Sequence, residues 1–269
     1  MYPVLFKLSF AEVRSYYLLW ASALFLFVYW TRYRAEKNFG IESETARKIL
    51  VWIYVAGVLG SSAAKGIENM PRYLSGEIGL YELFQGLSSW GGFLAGGIVG
   101  MWQLHKNNVN IQDFAEASAL PSAAMIGIGR LGCFMEGCCQ GLGKYCSTPE
   151  WYHVHLAADN EGFYRLPTQL TESLAAFAIL IVTAFLEKCV LKNVKHGGIA
   201  VEFPLFMLLY GGYRLFCDGL REVYSPKAIY VWGLAVAIAL AWLAWSLTRL
   251  YRMRDKRPYD EHKIHTQPS

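Results

Sequence analysis

Arginines inside apolar stretches are the residues of this sequence that could most readily do chemistry. Arg130 follows the apolar, small-residue run 117–128, and Arg214 lies inside the apolar run 199–216. A charged side chain at mid-bilayer costs about 2.5–3.5 kcal/mol on the insertion scale, so such residues usually mark functional sites. The stretch 129–141 contains four glycines, which allow a helix end to break and expose N–H groups. A guanidinium beside free backbone donors predicts an anion site, and phosphate fits best.

Acidic residues accompany these arginines. Asp218 and Arg221 follow Arg214 at spacings of four and seven residues, so one helix face would carry all three. They form either an internal ion pair or a second anion-binding group facing Arg130, and we favour the second interpretation. Glu172, at the start of another apolar run, needs a cationic partner. We expect Glu172 to orient an arginine rather than to react.

The composition indicates a polytopic membrane protein of the all-α class. Of the 269 residues, 54% are hydrophobic and 17% are charged, whereas soluble domains carry about 25% charged residues. Seven apolar runs predict transmembrane helices in a single membrane domain, 1–269, with a polar tail at 258–269. The runs cover approximately residues 15–30, 49–64, 83–104, 112–134, 170–186, 199–216 and 228–247.

Positive charges are unequally distributed between the two ends of this bundle. The connections 31–48, 105–111 and 187–198 and the C-terminal tail hold fifteen Lys and Arg residues, against eight on the other side. The positive-inside rule predicts the N-terminus outside and the C-terminus in the cytoplasm. No cleavable signal peptide is expected, and the basic tail is interpreted as an anchor on anionic lipids rather than a nucleic-acid site.

Small residues are concentrated in the stretch 86–97, which contains five glycines and two serines around Trp90. Small residues at this density bring helices close together. The stretch is interpreted either as tight helix packing or as a substrate groove. Trp90 could line a slot for an acyl chain or headgroup, but it cannot act as an acid or base.

Cysteine and histidine spacings do not indicate a metal site. Four of the six cysteines lie close together in the sequence, at Cys133, Cys138, Cys139 and Cys146. The paired CxxC pattern of structural zinc sites is absent. Cys133 is interpreted as a small side chain that packs in the core. A disulfide could join Cys146 to Cys138 or Cys139. Nucleophilic catalysis by a cysteine is not supported, because no Cys–His spacing typical of such sites is present. His153 and His155 are assigned to a polar outer loop, and no metal ion or cofactor is expected.

Five segments together resemble the prolipoprotein diacylglyceryl transferases of bacterial inner membranes. The strongest is GRLGCFMEGCCQG at 129–141, which looks like a cysteine-containing variant of the family signature GRxGNFxNxE. The others are VRSYY at 13–17, WGGFLAG at 90–96, LPTQLTE at 166–172 and YGGYRLFCDGLRE at 210–222. Their order and their spread over nearly the whole chain make the resemblance specific.

The resemblance implies a seven-span inner-membrane enzyme that moves the diacylglyceryl group of phosphatidylglycerol to the lipobox cysteine thiol of a preprolipoprotein. Glycerol-1-phosphate leaves in this first step of lipoprotein maturation. The implied partners are the lipid, the signal peptide and the bilayer, and the enzyme is expected to be a monomer without a cofactor. The implied catalytic residues are Arg130, Arg214 and Glu172. The implied substrate-binding residues are Tyr16, Trp90, Gly91, Gly92, Gly129, Gly132, Glu136, Gln169, Asp218 and Arg221.

The sequence departs from the family pattern at several of these segments. Trp90 replaces a family His or Tyr, Leu166 replaces a His, and Ser62 lies in GSSAAK where the family shows GxRxxY. A base at the family position is therefore missing. Either the positive field of Arg130 and Arg214 or a carboxylate such as Glu136 or Glu172 would have to activate the acceptor thiol, and we favour the field. Two alternatives follow: a related enzyme with another lipid or acceptor, and a non-catalytic phospholipid-binding membrane protein.

Overall fold

The protein is built mainly from α-helices. Its structure, a computed structural model, describes residues 4–8, 11–86, 88–144, 154–155, 164–189, 198–221 and 226–264. Within these residues the helices are α1 (Ser15–Phe39), α2 (Ser43–Leu74), α3 (Leu80–Leu83), α4 (Ser89–Lys106), α5 (Ile111–Glu136), α6 (Thr168–Cys189), α7 (Glu202–Cys217) and α8 (Pro226–Ile264). The strands are β1 (Val4–Leu8), β2 (Ala11–Arg14), β3 (Gly143–Lys144), β4 (Val154–His155) and β5 (Tyr164–Arg165), and a 3-10 turn covers Asp218–Leu220.

Each of the seven predicted apolar runs overlaps one long helix of the described residues. Most of these helices extend beyond their runs, but α7 begins three residues after the start of the run 199–216. The run 83–104 is divided between α3 and α4, and α8 continues through the first half of the tail 258–269. Helices α2, α5 and α6 and the segment Ile229–Arg252 of α8 are long and apolar enough to cross a membrane. The all-α class is thus confirmed, and four helical segments have the length and composition of membrane spans. Seven crossings and the orientation of the termini stay predictions.

The short strands of the described residues lie before α1 and in the connection between α5 and α6. Strands β1 and β2 form an antiparallel hairpin immediately before α1. Strands β3, β5 and β4 form an antiparallel sheet in that order, within the long connection between α5 and α6. Backbone groups that no helix satisfies find partners in these ladders.

The described chain groups into two compact units. One comprises residues 1–30 and 115–269, and the other comprises residues 31–114. The boundaries fall inside α1 and α5, so two helices contribute to both units. The prediction of one transferase domain stays a prediction.

Glycines set the packing of α2 against α4 in the unit 31–114. A Cβ added to Gly91 would lie 2.3 Å from the Ala64 Cβ and 2.4 Å from the Gly60 carbonyl oxygen. A Cβ added to Gly60 would lie 2.3 Å from the Ala95 Cβ. Only glycine permits this approach of two helix backbones. The stretch 86–97 therefore serves tight packing, which was one of its two interpretations.

The other unit is held by an apolar core and by a carboxylate that caps a helix. Residues from α5, α6 and α7 form the core, with Ala123, Ile179, Phe206 and Tyr210 buried together. The Glu116 carboxylate of α5 accepts hydrogen bonds from the backbone N–H groups of residues 201–203, at 2.8–3.1 Å. These donors would otherwise be unsatisfied at the start of α7, and the negative charge suits the helix dipole there. Glu116 thus fixes where α7 begins.

We expect Gly91→Ala to destabilise the protein and Gly97→Ala, on the same helix, to leave it unchanged or slightly more stable. The Gly91 methyl would overlap α2, and overpacking of this kind costs about 1–3 kcal/mol. A Cβ at Gly97 meets no described atom within 4 Å, so the higher helix propensity of alanine would act alone. Thermal unfolding in detergent micelles measures both. Equal melting temperatures for the two variants would contradict the packing argument.

Candidate functional site

Charged residues from three helices meet at the ends of those helices. Arg130 lies in the last two turns of α5, and Glu172 lies in the second turn of α6. Arg214 lies in the last turn of α7, and Asp218 and Arg221 follow in the 3-10 turn and just after it. These five residues are named the arginine cluster below.

Glu172 occupies the centre of the arginine cluster. Its side chain is 1% exposed, and one oxygen, Oε1, lies 2.9 Å from Arg130 Nε and 2.9 Å from Arg214 Nη1. Its other oxygen, Oε2, pairs with Arg221 Nη2. The Tyr210 hydroxyl also donates to Oε1, at 2.5 Å. The predicted pairing of Glu172 with Arg130 or Arg214 is therefore confirmed for both, and a third arginine joins them.

Asp218 forms the second acidic point of the arginine cluster. Its Oδ1 lies 2.7 Å from Arg214 Nη2 and 3.4 Å from Arg221 Nε. The prediction that these three residues share one helix face is only partly right. Helix α7 ends at Cys217, the chain tightens into a 3-10 turn, and Arg221 is extended with φ −91° and ψ 144°. The side chains nevertheless meet, because the tight turn carries Arg221 back towards Asp218 and Glu172.

The charges of the arginine cluster do not cancel. Three guanidinium groups face two carboxylates, so the cluster carries one unbalanced positive charge. Arg214 is only 11% exposed, its Nε is buried without a hydrogen-bond partner among the described residues, and its guanidinium lies 5.0 Å from the centre of the Trp232 ring. A desolvated cation of this kind favours a bound anion. The arrangement can therefore hold a phosphate or carboxylate.

Backbone contacts join the segments that carry these side chains. Gly141 pairs with Arg221, and the Leu142 N–H donates to the Leu220 carbonyl at 2.9 Å. A Cβ at Gly141 would lie 2.4 Å from the Leu166 carbonyl oxygen, so this position requires glycine. Leu166 thus contributes backbone contacts at a position where the family has a His.

Two further candidates hold the loop after α5 in place. Gln169 is fully buried, and its Nε2 donates to the Cys138 carbonyl at 2.7 Å. Glu136, at the end of α5, pairs with Arg14 at 2.5 Å between Oε1 and Nη1. Gln169 is therefore held by the loop after α5, and Glu136 is held by Arg14.

The glycines and Tyr16 of the predicted site pack α1 against α5. A Cβ at Gly129 would lie 2.8 Å from the Trp20 ring, and one at Gly132 would lie 3.4 Å from the Tyr16 carbonyl oxygen. The Tyr16 ring contacts the Trp20 ring at a centroid distance of 6.4 Å. These positions bring α1 close to the helix that carries Arg130.

Trp90 belongs to a polar group in the unit 31–114. Its Nε1 donates to Glu68 Oε1 at 2.7 Å, and the Ser88 hydroxyl donates to the same oxygen at 2.6 Å. Lys65 Nζ lies 3.1 Å from Glu68 Oε2. Gly91 and Gly92 face α2, where Ser61 Oγ lies 2.3 Å from an added Gly92 Cβ. The Ser62 hydroxyl reaches the Phe84 carbonyl only at 3.5 Å.

Sequence reasoning missed several residues of these arrangements. Glu68, Glu116, Tyr210 and Trp232 each make a defining contact, yet only Tyr210 lies in a quoted motif. A charged residue within a long apolar helix was the available signal for Glu68. No sequence signal connects Trp232 with Arg214, because they come from different helices.

The cysteine cluster, defined here as Cys133, Cys138 and Cys139, follows Arg130 at the end of α5. All three are free thiols, and their Sγ atoms lie within 4.8 Å of one another. Hydrogen bonds with Cys133 and Cys138, together with the fields of Arg130 and Arg221, lower the pKa of Cys139. Hydrogen bonds with Cys133 and Cys139 raise the pKa of Cys138. Cys146 and His153 lie outside the described residues, as does the His155 side chain. Within the described chain, the cysteine cluster is the group that could hold a metal ion.

We expect Glu172→Gln to destabilise the protein by about 3–5 kcal/mol, because it leaves buried arginines without their main counter-charge. Glu77→Gln provides a control, since Glu77 pairs with Arg72 where both side chains are 60% exposed. An exposed pair contributes little, so this variant should melt like the wild type. Thermal unfolding in detergent at one salt concentration compares them. Wild-type stability of Glu172→Gln would show that the arginines do not depend on this carboxylate.

The chain matches known proteins over nearly its whole length. Residues 3–248 match the family model described as prolipoprotein diacylglyceryl transferase. A phosphatidylglycerol–prolipoprotein diacylglyceryl transferase of Ehrlichia ruminantium is 27% identical over 261 residues, which are 93% of this chain and 97% of that protein. Proteins of the same name from Staphylococcus xylosus and Aeromonas hydrophila are each 27% identical, over 81% and 85% of this chain and 78% and 81% of their own lengths. The chain therefore belongs to the prolipoprotein diacylglyceryl transferase family.

Proposed function

We propose that this protein transfers the diacylglyceryl group from phosphatidylglycerol to the lipobox cysteine thiol of preprolipoproteins in a bacterial inner membrane. The family and the names of the relatives make it a membrane transferase. The observation that carries the specific reaction is the unbalanced positive charge of the arginine cluster. A lipid phosphate is an anion that reaches such a site from the bilayer.

In this proposal the arginine cluster acts on the leaving group. The acceptor sulfur forms a bond to the glyceryl carbon of the lipid while the bond from that carbon to the phosphate oxygen breaks. The electron pair stays on the oxygen, and glycerol-1-phosphate leaves. Arg130 and Arg214 bind the phosphate and stabilise the charge that develops on it, and stabilisation of such charge in a water-poor site is often the largest catalytic effect. Glu172 holds both guanidinium groups in one orientation.

The acceptor thiol must lose its proton before it attacks. An unperturbed thiol has a pKa of about 8.5, so only a few per cent is thiolate at neutral pH. Glu172 is a poor base, because three arginines and the Tyr210 hydroxyl already satisfy its carboxylate. Trp90 has no basic atom. The positive field of the arginine cluster therefore favours the thiolate, and the proton passes to solvent.

A transfer assay tests the proposed function directly. Purified protein is incubated with phosphatidylglycerol carrying labelled acyl chains and with a lipobox peptide that contains either Cys or Ser. We expect label only on the Cys peptide, together with released glycerol-1-phosphate. Consumption of the lipid without labelled peptide would favour a related enzyme with another acceptor. Binding of the lipid without turnover would favour a non-catalytic phospholipid-binding protein.

Conservative arginine variants test the phosphate contact. Arg130→Lys and Arg214→Lys should each lower kcat by about 100-fold or more, because a planar fork of donors becomes a point charge. Arg72→Lys is the matched control, since Arg72 is exposed and lies in the other unit. Transfer rates are measured at saturating lipid, with thermal unfolding to confirm folding. Full activity of either cluster variant would show that guanidinium geometry is not required.

Glu136 offers a test of how the acceptor thiol is activated. Its carboxylate pairs with Arg14, so we expect it to position the end of α5 and not to remove a proton. Glu136→Gln should keep most of the transfer activity, because the amide oxygen can still accept from Arg14. The pH–rate profile should keep one basic limb that belongs to the acceptor thiol. Loss of activity and of that limb together would identify Glu136 as the base.

A further inference from the structure

The cysteine cluster has no part in the transfer reaction proposed above. Its three residues belong to the stretch 129–141, which resembles the family signature GRxGNFxNxE. That signature itself contains no cysteine. The Sγ atoms of Cys133, Cys138 and Cys139 converge within 4.8 Å, and none is in a disulfide. Cys133 is buried, Cys138 is half-buried and Cys139 is exposed. The cluster is therefore both assembled and open on one side.

The end of α5 brings the first two thiols together. The Cys138 N–H donates to the Cys133 carbonyl at 3.1 Å, and the Gly137 N–H donates to the Phe134 carbonyl at 3.2 Å. Gly137 has a φ of 76°. This is the Schellman pattern of a helix end, in which the residue after the glycine contacts the residue five positions earlier. Cys138 and Cys133 occupy those two positions, so the helix end itself pairs their side chains.

The third thiol is placed by a backbone conformation that residues other than glycine rarely adopt. Cys139 has a φ of 57°, in the left-handed region, which usually persists only when the surroundings enforce it. Gln169 donates to the Cys138 carbonyl at 2.7 Å, and the Thr168 hydroxyl donates to the Cys139 carbonyl at 3.2 Å. The start of α6 thus holds the loop, and protein contacts position the backbone that carries the thiols.

The distances suit a single ion bound by three sulfurs. Thiolate sulfurs bind zinc at about 2.3 Å, so three around one ion lie about 4 Å apart. The sulfurs need to move by less than about 1 Å to reach that spacing from their present separation. Arg130 Nη1 lies 3.9 Å from Cys133 Sγ. A divalent ion with three thiolates carries one negative charge, which this neighbouring guanidinium offsets.

We propose that Cys133, Cys138 and Cys139 form a three-thiolate binding site for a soft d10 cation, Zn²⁺ or Cu⁺. Thiolates select these ions over hard cations such as Mg²⁺. Three protein ligands with an exposed side leave one coordination position open, as in sites that bind a further ligand. Arg130 contacts both this site and the other members of the arginine cluster. The proposal of a metal site nevertheless does not depend on the proposed lipid transfer.

A metal titration tests the site without lipid or peptide. Reduced, metal-free, full-length protein in detergent is titrated with Cd²⁺, whose bonds to thiolate absorb in the ultraviolet. We expect one Cd²⁺ per chain with this absorption, displaced by Zn²⁺ or by Cu⁺ but not by Mg²⁺. Whichever of the two displaces Cd²⁺ at the lower concentration is the preferred ion. Absence of thiolate absorption, or displacement by Mg²⁺, would overturn the proposal.

Serine variants assign the ligands. Cys133→Ser, Cys138→Ser and Cys139→Ser should each weaken Cd²⁺ binding at least about tenfold, since loss of a direct ligand costs no less than loss of a supporting contact. Cys189→Ser, at the exposed end of α6, should bind like the wild type. Binding by Cys138→Ser equal to the wild type would refute the site.

Alkylation of the wild-type protein gives an independent measurement if a serine variant does not fold. Bound Cd²⁺ should protect Cys138 and Cys139 from a maleimide reagent and leave Cys189 reactive. Equal modification of these three residues with and without Cd²⁺ would contradict the site. So would a disulfide between Cys138 and Cys139 in protein purified under reducing conditions.

Discussion

The buried carboxylate of Glu172 is the constraint on which the described site depends. Three guanidinium groups from three segments converge on its two oxygens, and a Tyr210 hydroxyl completes its contacts. Buried charges are costly unless they are paired, so Glu172 is what permits the arginines to lie together in an apolar bundle. Asp218 adds a second negative charge but does not neutralise the cluster. The remaining positive charge is available to an anionic substrate.

The positions of these charges depend in turn on how three helix ends are joined. Gly141 pairs with Arg221 and packs against the Leu166 carbonyl, so one glycine ties together the segments after α5, before α6 and after α7. At the opposite end of α7, Glu116 caps the helix and sets its register. Small displacements of α7 along its axis would separate Arg214 from Glu172. The capping carboxylate and the glycine contact therefore contribute to the site without touching a substrate.

The same stretch of sequence contributes to two distinct groups of side chains, the arginine cluster and the cysteine cluster. Arg130 forms an ion pair with Glu172. Cys133 and Cys138 are instead joined at the end of α5 by a backbone hydrogen bond. A helix that ends in a glycine with positive φ places residues five apart in contact, and here both are cysteines. The sequence lacks the CxxC pattern and therefore did not predict a metal site. That pattern detects only ligands that lie three residues apart on a short turn. A helix end followed by a left-handed residue brings thiols together at a different spacing.

Local features were predictable from the sequence. Apolar runs predicted each long helix. Arginines inside such runs predicted the charged site, because a charged residue is costly in lipid and is therefore rare in an apolar run unless it has a function. Glu172 was expected to pair with an arginine for the same reason. Glycine-rich runs indicated close helix packing, and α2 and α4 pack through them.

Only the tertiary structure decided which partners meet. The convergence of three arginines on one carboxylate, the support of Arg214 by Trp232 and the capping of α7 by Glu116 join residues separated by long stretches of chain. Such contacts depend on helix positions, and neither periodicity nor composition encodes those positions. The grouping of Cys133, Cys138 and Cys139 likewise required the backbone angles of a helix end, since their spacing alone matched no known ligand pattern. The sequence by itself thus determined the helices and the charged residues inside them, and the packing of those helices determined what the charges do.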